Sequence, residues 1–265
     1  MNISMRKKLF LFLFSAVIIH FLFIFAKSQP FQSMKSPFSE VAGDVNASNS
    51  LPIVIENAVI SENPDNNILS LYNSLYLAES GLSRYAFDNA VKGYNYLLSS
   101  GKLKNDQIIS IVDFSQVSSK KRLYIIDLKT KKLLFNTYVS HGRNSGREMA
   151  NEFSNLAESN KSSLGFYVTG DTYIGKHGFS MRLFGEERGI NDNAYDRAIV
   201  MHGAPYVSES AIKMQGFIGR SLGCPALPEN LSEPIIEKIK NGSCLFLYSP
   251  DKNYAANSDI LKKNA

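Results

Sequence analysis

The strongest constraint on this chain is a change of period near residue 105. Before it, apolar residues recur at helical spacing: Ile68, Leu71, Tyr72, Leu75 and Tyr76 run up to Gly81, and Phe87, Ala90, Val91, Tyr94 and Leu98 follow on a second helix that starts at Ser83 and ends before Gly101. After it come short runs rich in β-branched and aromatic residues: Ile108 to Phe114, Arg122 to Leu128, Leu133 to Ser140, Gly165 to Tyr173, Ser180 to Gly185 and Ala198 to Gly203. Such runs fit a pleated, packed surface and read as strands. Lys129-Thr130-Lys131-Lys132 has the length and charge of a solvated hairpin loop. A late helix carries Leu231, Ile235, Ile236 and Ile239 on one side, with an Asn230-to-Glu233 capping box, Pro234 in its first turn and Gly242 past its end. Ser243 to Tyr248 reads as a buried closing strand. The expectation is a mainly β domain over 106–250 with a short helical extension over 68–105, a C-terminal tail over 251–265 and no internal repeat.

The N-terminus concerns place rather than fold. Arg6, Lys7 and Lys8 precede an apolar run from Leu9 to Phe25, and Ala26-Lys27-Ser28 supplies small residues near a cleavage point. That order is a secretory signal over 1–28 or, uncleaved, an inner-membrane anchor through residues 9–25. Both readings send the remainder to the periplasm or cell envelope, on a flexible Ser-, Asn- and Pro-rich linker over 29–67. With 44% hydrophobic and 20% charged residues, the rest is neither disordered nor polytopic. The net charge of +5 comes without an aromatic-interleaved basic stripe, which argues against nucleic acid and permits an acidic matrix.

Two cysteines, Cys224 and Cys244, are present. In an exported chain a disulfide between them is the first reading. Their contexts differ. Cys244, in Cys-Leu-Phe-Leu-Tyr, is a small core hydrophobe, whereas Cys224 ends the polar turn Gly219-Arg220-Ser221-Leu222-Gly223, where glycines allow close backbone approach and free N–H groups can hold an oxyanion. A reactive thiol also needs a base. Of four histidines, His20 is in the export segment and His177 sits in the loop Gly-Lys-His-Gly as a turn residue. His141 stands in Ser-His-Gly-Arg-Asn-Ser-Gly, balanced between groove lining and plain loop, and His202 ends the strand Ala198-Ile199-Val200-Met201 just before Gly203. Zinc is disfavoured because no local His/Cys spacing resembles a ligand pair.

Taken together, His202-Gly203 followed by Ser221-Leu222-Gly223-Cys224 resembles the His-Gly…Ser-x-Gly-Cys signature of the L,D-transpeptidase (YkuD-like) catalytic domain, in its Pro-Ala-containing branch. The similarity runs from about Leu71 to Tyr248 and includes Ser140-His141-Gly142, Ser162-Ser163-Leu164-Gly165-Phe166-Tyr167 and Gly175-Lys176-His177-Gly178. The resemblance implies a YkuD-like β-sandwich, a cysteine thioester intermediate, no cofactor and no metal, and peptidoglycan stem peptides containing meso-diaminopimelate as substrates. It makes Cys224 the nucleophile, His202 the base and the Gly203 carbonyl the group that orients the imidazole. It also gives the oxyanion to the backbone N–H groups of Leu222, Gly223 and Cys224. Ser221, Arg220, His141 and Gly142 are its candidates for touching substrate.

The chain departs from the commoner pattern in two places. Pro225-Ala226 stands where an arginine usually follows the cysteine by two residues, and the stretch from His202 to Cys224 is longer, leaving 204–219 as a lid or groove wall. The other readings are an L,D-carboxypeptidase, a papain-like or NlpC-like wall hydrolase and a non-catalytic wall-binding module. Chain order opposes the papain-like reading, because there the cysteine precedes the histidine.

Overall fold

The computed structural model describes residues 70–263. The apolar run at 9–25, the linker at 29–67 and Ile68 lie outside the described residues. Among those described, no helix is long and apolar enough to cross a membrane.

Eight strands form one sheet: β1 (Ile108–Asp113), β2 (Leu123–Asp127), β3 (Lys132–Thr137), β4 (Gly165–Gly175), β5 (Gly178–Gly185), β6 (Val200–Gly203), β7 (Ala226–Leu227) and β8 (Cys244–Tyr248). Their order is β3-β2-β1-β8-β4-β5-β6-β7. β1, β2 and β8 are buried at every residue, as their unbroken apolar runs require of strands covered on both faces. β1 and β8 pair in parallel, with Ile109 opposite Cys244 and Val112 opposite Leu247. Beyond β3 the chain crosses to the other edge of the sheet: Ser140 N–H donates to the Ala226 carbonyl at 2.9 Å, and Gly142 bridges Ser221 in parallel. The sheet thus rolls most of the way to closure, and the mainly β expectation holds in this form.

Helix α1 (Arg84–Ser99) packs on β1 and β8. Ser83 caps it as expected, its hydroxyl accepting from Ala86 N–H, while Ser83 N–H donates to Asp113 Oδ2 at 3.0 Å. The helix comes so close to β4 that a Cβ at Gly93 would lie 2.0 Å from the Phe166 ring, which itself stacks on Phe246 at 4.1 Å. Glycine is required there by the approach distance.

Three expectations need correction. The first helix does not reach Gly81: the helical turn covers 70–74, and at Tyr76 (φ 51°) the backbone turns left-handed, letting Leu77 and Leu82 bury in the core. The late helix, α3 (Glu229–Ile239), follows α2 (Glu209–Gln215) and begins at Pro228 with no side-chain cap bond. The proline ring sets the extended entry from β7, so Asn230 and Glu233 are already inside the helix and Pro234 is at its middle. The stretch taken as a tail folds as α4 (Lys252–Asn257) and α5 (Asp259–Lys263). Tyr254 and Ile260 are buried, and Tyr254 and Ser258 both donate to the Glu187 carboxylate. Apolar and hydrogen-bonding partners supplied by distant residues give this segment a place that its own composition does not announce.

Candidate active site

β6 lies between β5 and β7, with His202 opposite Ser180 on one side and Ala226 on the other. Cys224 stands two positions before Ala226, the first residue of β7, so sheet pairing carries the thiol to the flank of the histidine strand. His202 is 2% exposed. Its Nδ1 is 2.8 Å from the Gly203 carbonyl, so that nitrogen carries the proton and donates, leaving Nε2 as the basic nitrogen. Burial lowers the pKa of His202, the Gly203 bond opposes that, and the neighbouring His177 lowers it further. His177, read as a plain turn residue, stacks on His202 with ring centroids 4.3 Å apart and planes 20° from parallel.

The Cys224 thiol is half-buried and donates to the Ala198 carbonyl at 3.8 Å, while Val200 N–H points at the sulfur from 3.5 Å. Ala198 is left-handed (φ 53°), a conformation that costs an alanine roughly 1–2 kcal/mol, so the carbonyl facing the thiol is held at the expense of local strain. Burial raises the thiol pKa, and Val200 N–H and the Arg197 guanidinium pull it back. Both cysteines are free, and Cys244 is buried in β8 with its thiol pKa raised by desolvation.

The turn before the thiol is tied from several sides. Ser221 Oγ donates to the Cys224 carbonyl at 2.6 Å and accepts from Gly223 N–H at 3.0 Å. Ser221 N–H donates to the His141 carbonyl, and its own carbonyl accepts from Arg143 N–H. Gly223 has φ 129°, and a Cβ there would meet Ile199 Cδ1 at 2.8 Å and the Lys161 carbonyl at 2.9 Å. Of the three N–H groups expected around an oxyanion, Gly223's is therefore engaged by Ser221. The Leu222 side chain points out, 62% exposed.

A cavity of about 420 Å³ opens onto the thiol and imidazole together. Lys176, Arg197 and Arg220 line it, with Tyr173 and Tyr206, and among the described residues no Asp or Glu is in its walls. Arg220 NH1 bonds the Arg143 and Gly146 carbonyls, each at 3.1 Å. Arg197 is anchored by Ser154 and Ser163 on one nitrogen and by the Lys161 carbonyl on the other. The segment after Gly203 forms α2 and a small core of Ala204, Val207, Ile218 and Ala226, and places Tyr206 on the cavity wall.

His141 and Gly142 stand apart from the cavity. His141 is fully buried, with Nδ1 accepting from Arg122 at 2.7 Å and Nε2 donating to the Gly146 carbonyl at 3.2 Å. Gly142 N–H donates to Ser162 Oγ, and a Cβ there would meet the Asn160 carbonyl at 2.5 Å. Neither is a groove residue. Sequence reasoning missed Arg197, Lys176, Tyr173 and Tyr206, which look like any surface residues until the fold gathers them. The Gly-Lys-His-Gly motif was the one signal that could have found His177.

The L,D-transpeptidase catalytic domain family matches residues 78–248, and the chain belongs to that family. No curated relative matches its sequence. Similar solved structures include an L,D-transpeptidase from Mycobacterium smegmatis (12% identity over 54% of this chain and 59% of that one, TM-score 0.33). A helical cell shape determining protein from Campylobacter jejuni is another (15% identity, 62% and 57%, TM-score 0.38). A third is an L,D-transpeptidase from Stackebrandtia nassauensis (15% identity, 70% and 77%, TM-score 0.34). The chain spans 59% of the length of the first of these.

Proposed function

We propose that this chain is a peptidoglycan L,D-transpeptidase that works through a thioester on Cys224. The observation that carries the reading is that one cavity receives both a half-buried thiol and an imidazole with a single free nitrogen, and that its charged walls are all cationic. His202 Nε2 takes the thiol proton, and the thiolate attacks the carbonyl of the L-centre in a tetrapeptide stem. The tetrahedral oxyanion lies against the Leu222 and Cys224 N–H groups, while Ser221 holds the turn through Gly223. D-alanine leaves with the proton from the imidazolium, and an amine of a second stem resolves the thioester and restores the thiol. Lys176 and Arg220 supply the positive rim for the stem's carboxylates, a task that Pro225-Ala226 cannot perform. Export through the basic-apolar segment at 1–28, cleaved or retained as an anchor, brings the domain to this substrate in the cell envelope.

Incubation of the protein with purified disaccharide-tetrapeptide, followed by mass, tests the reading. A cross-linked dimer with loss of D-alanine is expected. Tripeptide alone identifies a carboxypeptidase, and no change in the substrate refutes both. Cell fractionation tests the location, since native chain recovered from the cytosol with an unprocessed terminus contradicts it.

A further inference from the structure

We infer that His177 is a positioning residue for this reaction, its imidazole covering one face of His202 to fix the plane of the base and shield it from water. The inference rests on His202 being the base. Its physical ground is the hairpin between β4 and β5. Gly175 pairs with Gly178, so Lys176 and His177 are the two central residues of the turn, and Gly178 takes φ 74° to close it. An exposed turn residue ordinarily points into water, but here the ring lies 4.3 Å from His202 and nearly parallel to it. The arm that holds it is stiffened lower down, where Arg182 pairs with Asp171 at 2.5 Å and lies 4.5 Å from the centre of the Tyr173 ring.

The stack does two things. It takes one face of His202 away from water and restricts rotation about its side-chain bonds, while the Gly203 carbonyl fixes the ring edge. It also disfavours positive charge on His202, whose pKa burial lowers first and the neighbouring His177 lowers further. The other charged or titratable groups lining the cavity that His202 faces are Lys176, Arg197, Arg220, Cys224, Tyr173 and Tyr206, and α3 brings Glu229 near Gly203. None of these groups replaces the ring that lies on His202.

Two measurements on the full-length protein test this. In an NMR titration of the histidine ring signals, assigned with His177→Phe and His202→Ala, the His202 midpoint should rise by about half a pH unit or more in His177→Phe, which keeps the cover and removes the charge. An unchanged midpoint overturns the inference whether or not turnover is seen. In steady-state kinetics on the tetrapeptide, His177→Ala should lower kcat severalfold with KM nearly unchanged and move the acid limb of kcat to higher pH. His177→Phe should recover most of kcat and keep the shifted limb. Wild-type kcat and pH profile in both variants, alongside an inactive Cys224→Ala, sink the role of His177 and leave the nucleophile standing. Wild-type turnover in Cys224→Ala sinks the underlying reading, and the NMR midpoint still decides the stack.

Discussion

His141 and His202 invite comparison because the chain presents them alike: each stands at the end of a strand-like apolar run, each precedes glycine and each is almost wholly buried. They differ in how many ring nitrogens the protein occupies. His141 spends both, accepting from Arg122 and donating to Gly146, and its pKa is lowered to about 3, first by burial and then by the Arg122 charge. His202 spends one and turns the other toward a cavity shared with a thiol. A buried imidazole with both nitrogens bonded is a fixed strut, while one with a free nitrogen is a base in waiting. The strut also serves the site, because the His141 carbonyl receives Ser221 N–H and so holds the turn that carries Cys224.

Removal of the thiol proposed to attack should show the largest effect. Cys224→Ala is expected to reduce cross-linking and tripeptide formation to background in the mass assay, with the melting temperature little changed. His202→Ala should cost roughly a hundredfold or more in kcat/KM, as loss of general acid–base help does. Equal losses of activity in His202→Ala and a folded His141→Ala would erase the distinction drawn between the two histidines.

The strut should be seen in stability. His141→Ala leaves Arg122, itself fully buried, short of an acceptor and should destabilise the fold by about 3 kcal/mol in denaturant unfolding. His141→Gln can still accept from Arg122 and donate to Gly146, so it should recover much of that loss.

The pH dependence follows from the same bonds. The folded state refuses a proton that the unfolded chain accepts below about 6.5, so stability is full above that pH and declines as pH falls toward about 3. Melting temperatures measured across this window should decline less steeply in His141→Gln. An identical slope would mean that His141 does not carry the acid sensitivity.

The smallest effect expected is that of Cys244→Ala, which trims a buried thiol in β8 and should cost about 1 kcal/mol while sparing turnover. Thiol counting under denaturing, non-reducing conditions should find two free groups, in keeping with both cysteines being unpaired.

Much of this was legible in the chain. Runs such as Ile108–Asp113 and Cys244–Tyr248 declare strands because a strand's burial is written in consecutive side chains, and Ser83 declares a helix start because the cap bond is local. The thiol in its glycine turn and the histidine before Gly203 could be paired as candidates by chemistry and by family resemblance. Local signals failed where partners lie far away. Tyr76 leaves the helix to let Leu77 reach the core, and residues 251–263 become helices because Glu187 and the core receive Tyr254, Ser258 and Ile260.

What the sequence determined by itself, then, is the mainly β character, the start of α1 at Ser83 and the candidacy of the thiol and the imidazole, since each depends on residue type and near neighbours. Only the tertiary structure decided that His141 is sealed off while His177 lies on His202, and that Arg197, Lys176 and Arg220 gather around one cavity. Those outcomes turn on distances between residues remote along the chain, and such distances exist only once the sheet has rolled and the chain beyond β3 has crossed to its other edge.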